Sequence, residues 1–166
     1  ITKIKNGQTA NITEVQEAWS PTINLNVSVL IPDTFVTDLD VRLSLYRRLS
    51  DIRNSADMEA FAVELIDRFG DLPKEVLMLI NIMKIKNKCL DAGIVKFEGG
   101  PRGATIKFYN DEFSKPEALM KYIQGQGDLI KIRENQLVIR RDWKKVSDKI
   151  KGVYAIVSDL ARLANK

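Results

Sequence analysis

Glu64, Asp67 and Arg68 stand at i, i+3 and i+4 just ahead of the helix-stop signal Gly70-Asp71-Leu72-Pro73. At that spacing they share one side of a helix. Two carboxylates and a guanidinium there are suited to ionic recognition. Arg68 can donate two parallel hydrogen bonds to a planar anion, the acids can accept from a cation, and the pattern selects a complementary face. The spacing equally allows a pair private to the helix, Glu64 to Arg68 in the favourable acid-before-base order, contributing only ~0.2–0.5 kcal/mol.

Other candidate chemistries lack an essential member. The run Gly99-Gly100-Pro101-Arg102-Gly103-Ala104-Thr105 is glycine-rich. It has no Gly-Lys-Ser/Thr to hold phosphate and magnesium, and it reads as a hairpin turn between strands. Cys89 lies among lysines that would favour its thiolate, yet the chain has no histidine to serve as its base. It reads as a structural cysteine. Acid pairs such as Asp38 with Asp40 form no recognisable ligand run. No catalytic residue, metal site or cofactor is expected. The densest basic patch is Arg140, Arg141, Lys144, Lys145, Lys149 and Lys151, with Asp142 and Asp148 interspersed. It is either a solvated helix face or, as an alternative function, a nucleic-acid contact through Lys144, Lys145 and Lys149.

Composition narrows the class further. The chain has 166 residues, 45% of them hydrophobic, enough for one domain with a core and an appended arm. A single cysteine excludes an internal disulfide, and with no histidine a Cys/His zinc site lacks ligands. The lone thiol suits a reducing cytoplasm. Apolar runs such as 76–85 are broken by Asn81 and Lys84, far short of the ~20 residues that span a bilayer, so no membrane partner is expected. The start at Ile1 reads as a cut from a longer protein. Lys plus Arg exceed Asp plus Glu by 26 to 22, a formal +4 that permits nucleic-acid contact without demanding it.

The elements that must position the trio follow from periodicity. Residues 1–22 are polar and broken by Asn6-Gly7 and Ser20-Pro21, which predicts a linker or arm; 23–166 form the domain. Ile23, Leu25, Val27 and Val29 alternate with polar residues and predict a strand that lies across the domain or pairs at a sheet edge. Val41, Leu45, Leu49 and Ile52 mark a first helix. A second, capped by Asn54 or Ser55, carries Phe61, Leu65 and Phe69 and ends at Gly70 in a left-handed conformation. Pro73 in a first turn opens a third, the most buried of the three, with Val76, Leu77, Leu79, Ile80, Met83, Cys89 and Leu90. After Gly93 two ββα units follow: strands 94–98 and 104–109 with a helix over 115–124, then strands 128–133 and 136–140 with a helix over 142–164. The fold class is α+β, a helical N-terminal half followed by a four-stranded antiparallel sheet with helices on one face.

Read together, Ile31-Pro32-Asp33-Thr34-Phe35, Asp38, Arg42-Leu43-Ser44-Leu45-Tyr46-Arg47-Arg48 and Glu64 through Pro73 resemble the C-terminal (TRCF) domain of the bacterial transcription-repair coupling factors, the Mfd family. The likeness covers about residues 23–166. It is specific in the first half and one of arrangement alone in the second. It implies a parent that is an ATP-driven DNA translocase, displacing stalled RNA polymerase and recruiting nucleotide excision repair through UvrA, with its ATPase motifs outside this chain. The domain itself would be non-catalytic and autoinhibitory. It would dock on the parent's own UvrB-like module to mask the UvrA-binding surface and restrain translocation, with Glu64, Asp67 and Arg68 as the docking residues.

Overall fold

In the computed structural model, residues 20–27 and 29–165 are described. The expected arm thus lies largely outside the described residues. The first helix, α1 (Leu39–Asp51), starts where Asp38 Oδ1 accepts from the Val41 amide at 3.0 Å. Leu45 and Leu49 face inward. The second, α2 (Ser55–Phe69), is capped by Asn54, whose Oδ1 accepts from the Asp57 amide at 2.8 Å, and buries Met58, Phe61 and Leu65. Gly70 follows at φ 100°, ψ −166°. The positive φ is as expected, but the extended ψ carries the chain away instead of closing a left-handed cap.

The third helix, α3 (Lys74–Ala92), begins one residue after Pro73, which is the cap itself and not a first-turn residue. Its first half gives Val76, Leu79 and Ile80 to a core shared with Leu45, Leu49, Met58, Phe61, Leu65, Ile31 and Val36. Its second half gives Ile85, Cys89 and Ala92 to the core under the sheet. One helix therefore belongs to both cores. Asn87, buried on α3, donates from Nδ2 to the Ile52 carbonyl at 2.8 Å and so ties it to the end of α1. Leu77, expected inside, is 48% exposed.

The sheet comprises β1 (Thr22–Asn24), β2 (Ile94–Gly100), β3 (Gly103–Phe108), β4 (Ile130–Arg133) and β5 (Gln136–Arg140), in the order β1-β2-β3-β5-β4. It has five strands and is mixed, not four and antiparallel, because β1 joins the edge beside β2 in parallel. Alternation gives a strand but not its direction. Here the chain leaves β1 and returns to β2 through three helices, the long crossover that parallel neighbours require. The first strand is short because Asn26 turns to φ 55°. The β4–β5 turn places Glu134 and Asn135 at φ 53° and 64°, the primed geometry that matches strand twist.

Phe97, Ala104, Ile106, Phe108, Ile130, Leu137 and Ile139 point from the sheet into one core with α3, α4 (Pro116–Gly125) and α5 (Val146–Ala164). The final helix starts at Val146, not Asp142. Gly152 explains the difference: a Cβ there would lie 2.5 Å from Trp143 Nε1, so the indole packs on α5 and the preceding segment folds back over the helix instead of extending it. Among the described residues, no helix is long and apolar enough to cross a membrane.

Candidate docking face on the second helix

The stripe of Phe61 and Leu65 sets the roll of α2, and that roll decides where each member of the trio goes. Glu64 turns toward α1. Arg48 donates to it through two parallel bonds, Nη2 to Oε1 at 2.6 Å and Nη1 to Oε2 at 2.7 Å. Arg68 adds Nη1 to Oε2 at 2.8 Å from one turn on. The expected Glu64–Arg68 pair is present, and the partner missed from sequence is Arg48. Its signal lay in the cationic flank Arg47-Arg48 of the first helix, but register between two helices is set by packing, which spacing within one helix does not report.

Both guanidinium groups are also braced against rings, Arg48 at 5.2 Å from the Phe61 centroid and Arg68 at 4.8 Å from that of Phe69. Phe69 in turn meets Phe35 at 5.6 Å. The hydrogen bonds from Arg48, then from Arg68, hold the Glu64 carboxyl down to about 2, and the same pairing raises the pKa of Arg48. The bridge is partly exposed, with side-chain accessibility of 46% for Arg48 and 35% for Glu64, so its stabilisation is screened by solvent.

Asp67 is treated differently. It is exposed, and its side chain has no hydrogen bond or ion pair among the described residues. Val63 and Ile66 beside it on α2 are 56% and 43% exposed. The face thus combines an ordered Arg48–Glu64–Arg68 bridge, an uncommitted carboxylate and two solvent-facing apolar side chains. Such a surface can accept a cation and bury a modest apolar contact.

The residues of the alternative reading do not converge. Lys144 and Lys145 are exposed in the segment before α5, whereas Lys149 is buried and donates from Nζ to the Leu25 carbonyl at 3.0 Å. That lysine ties α5 to the chain after β1 and is unavailable to a phosphate. Cys89 is buried too, which pushes its thiol up to about 12, far from a nucleophile's range. Among the described residues no cluster of three acids, cysteines or histidines is placed to hold a metal.

The sequence and the fold both have relatives. The TRCF domain family matches residues 25–119. The transcription-repair-coupling factor of Rickettsia conorii is 38% identical over 135 residues, covering 81% of this chain and 12% of that protein. That of Escherichia coli K12 is 35% identical over 104 residues, covering 63% of this chain and 9% of that protein. The chain therefore spans about an eighth or less of these relatives' length. A crystal structure of the C-terminal domain of a transcription-repair coupling factor shares the fold, with a TM-score of 0.74 at 22% identity, covering 89% of this chain and 95% of that one. The chain belongs to the TRCF domain family, the C-terminal domain of the transcription-repair coupling factors.

Proposed function

We propose that this domain is a non-catalytic regulatory clamp of an ATP-driven DNA translocase that displaces stalled RNA polymerase and recruits nucleotide excision repair. It docks through α2 on the UvrB-like module of the same polypeptide, covers the surface that UvrA uses, and restrains translocation until the contact opens. The carrying observation is Asp67, exposed beside Val63 and Ile66 and without a partner among the described residues, next to a carboxylate that two arginines already occupy. Glu64 is accordingly the organiser of the face, holding Arg48 and Arg68 in place, while Asp67 is the group left to meet a cation on the partner module. A small, polar contact of this kind suits a reversible lock, because interfaces between domains of one chain that must separate are modest and mixed in character.

The test uses the full-length parent. Asp67→Arg removes no bond within the domain, so the domain stays folded while the contact weakens. Binding of UvrA to the variant is expected to rise above that of the unaltered parent. Equal UvrA binding by the two, with the domain folded, overturns the docking assignment.

A further inference from the structure

The face of the sheet turned away from the helices carries a charge distribution that the docking face does not explain. Strand register sets its rows. Thr22 pairs with Lys96, Lys96 with Lys107, Lys107 with Gln136 and Gln136 with Arg133, so one line across all five strands holds three cations and no acid. The next line runs Asn24, Glu98, Thr105, Val138 and Lys131, and Arg140 stands beyond it opposite Gly103. Lys96, Lys107, Lys131, Arg133 and Arg140 are all exposed, and Glu98 is the single acid among the described paired positions of the face. Taking these six residues from the chain's 26 Lys and Arg and 22 Asp and Glu leaves 21 of each sign. The net charge of the whole chain thus equals the net charge of this one face.

Local neutralisation is slight. Glu98 pairs with Lys96 at 2.9 Å, and Asp128, in the turn before β4, reaches Lys131 at 4.0 Å. The side chains of Lys107, Arg133 and Arg140 have no hydrogen bond or ion pair among the described residues. Lys96 opposite Lys107 is a like-charge cross-strand pair, an arrangement that costs stability.

We infer that this open face binds the phosphodiester backbone of duplex DNA without reading its sequence. Among the described residues the face has no aromatic side chain for stacking on bases, and Val138 is the only apolar one among its paired positions, which leaves a lipid surface without an anchor. Charge is what it offers. The line from Lys96 to Arg133 crosses three strand spacings, roughly 14 Å. That is close to the ~12 Å width of a major groove, so cations at its two ends can meet phosphates on both bordering strands. The surface is distinct from α2, so the inference stands apart from the docking proposal.

The experiment is a fluorescence anisotropy titration of a labelled duplex with the 166-residue chain at stepped salt. Weak binding is expected, equal for two unrelated duplex sequences and falling steeply with salt. The double substitution Lys107→Gln with Arg133→Gln is expected to lower low-salt affinity about tenfold and to flatten the slope of log K against log salt by roughly 2. Because Lys107→Gln also removes a like-charge pair, the melting temperature should hold or rise, which separates lost binding from lost folding. Lys144→Gln with Lys145→Gln, off this face, should leave affinity nearly unchanged. No binding at low salt, equal losses from both double variants, or capture of poly-glutamate in preference to the duplex would each overturn the assignment.

Discussion

In the helical half, the ionic groups on the candidate face answer one another, for Arg48 of α1 and Arg68 of α2 both bind Glu64, while Asp67 has no partner among the described residues. In the sheet half, Lys107, Arg133 and Arg140 stand on a common face with no acid bound to them among the described residues. The two surfaces are therefore organised for different kinds of contact. Bidentate pairing and ring contacts fix the rotamers on α2 before any partner arrives, so binding there loses little side-chain entropy and favours one complementary face. Long, unpaired side chains on the sheet suit a partner with many equivalent anionic positions, where a fixed rotamer brings no advantage.

The halves differ in their ionic groups but not in their dependence on α3. Since that helix supplies Val76, Leu79 and Ile80 to one core and Ile85, Cys89 and Ala92 to the other, damage to either should be felt by both. Phe97→Ala in the sheet core is expected to cost about 3–5 kcal/mol and Leu45→Ala in the helical core about 2–5 kcal/mol, read from urea unfolding. Each variant should unfold in a single step. A Leu45→Ala protein that unfolded in two steps, with the sheet's transition unmoved, would show the halves to be independent.

A smaller effect that starts in the sheet comes from Gly103. It sits at φ 143°, and a Cβ there would collide with the Ile139 carbonyl of the neighbouring strand. Gly103→Ala should therefore destabilise by more than ~1 kcal/mol, with the β3–β5 amides losing hydrogen-exchange protection first. Unchanged stability and unchanged β3–β5 protection would contradict the clash.

The bridge on α2 should register more weakly. Glu64→Gln is expected to cost at most about 1 kcal/mol near neutral pH, because the pair is exposed. A carboxyl whose pKa is lowered on folding contributes stability that is fully present above its ordinary value near 4.5 and is lost as pH falls through about 2. The difference between the unaltered protein and Glu64→Gln should accordingly shrink as pH drops from 4.5 to 2, as read from chemical denaturation at each pH. Smaller still, and opposite in sign, Lys107→Glu should stabilise the sheet by ~0.2–1 kcal/mol by turning a like-charge cross-strand pair into an attractive one. A loss of stability there would mean that Lys107 has a favourable role in the fold itself.

Local chemistry made most of the elements legible in the sequence. The Asn54 cap, the apolar stripe of α2, Gly93 behind α3 and the Glu134-Asn135 turn each act within a few residues, so spacing reports them. What spacing missed depended on contacts distant in sequence. The parallel placement of β1, the burial of Lys149 against Leu25, the fold-back of Trp143 onto Gly152 and the reach of Arg48 to Glu64 are all set by tertiary packing. The cationic face was hidden for the same reason. Lys96, Lys107, Lys131, Arg133 and Arg140 are scattered along the chain, and only strand register gathers them.

In the proposed clamp, Asp67 holds a restraining contact within a larger protein. The most direct measurement is the steady-state ATPase rate of the full-length parent, without DNA or polymerase, carrying Asp67→Arg. The basal rate is expected to lie clearly above that of the unaltered parent. A folded variant whose basal rate matches the parent's would contradict it.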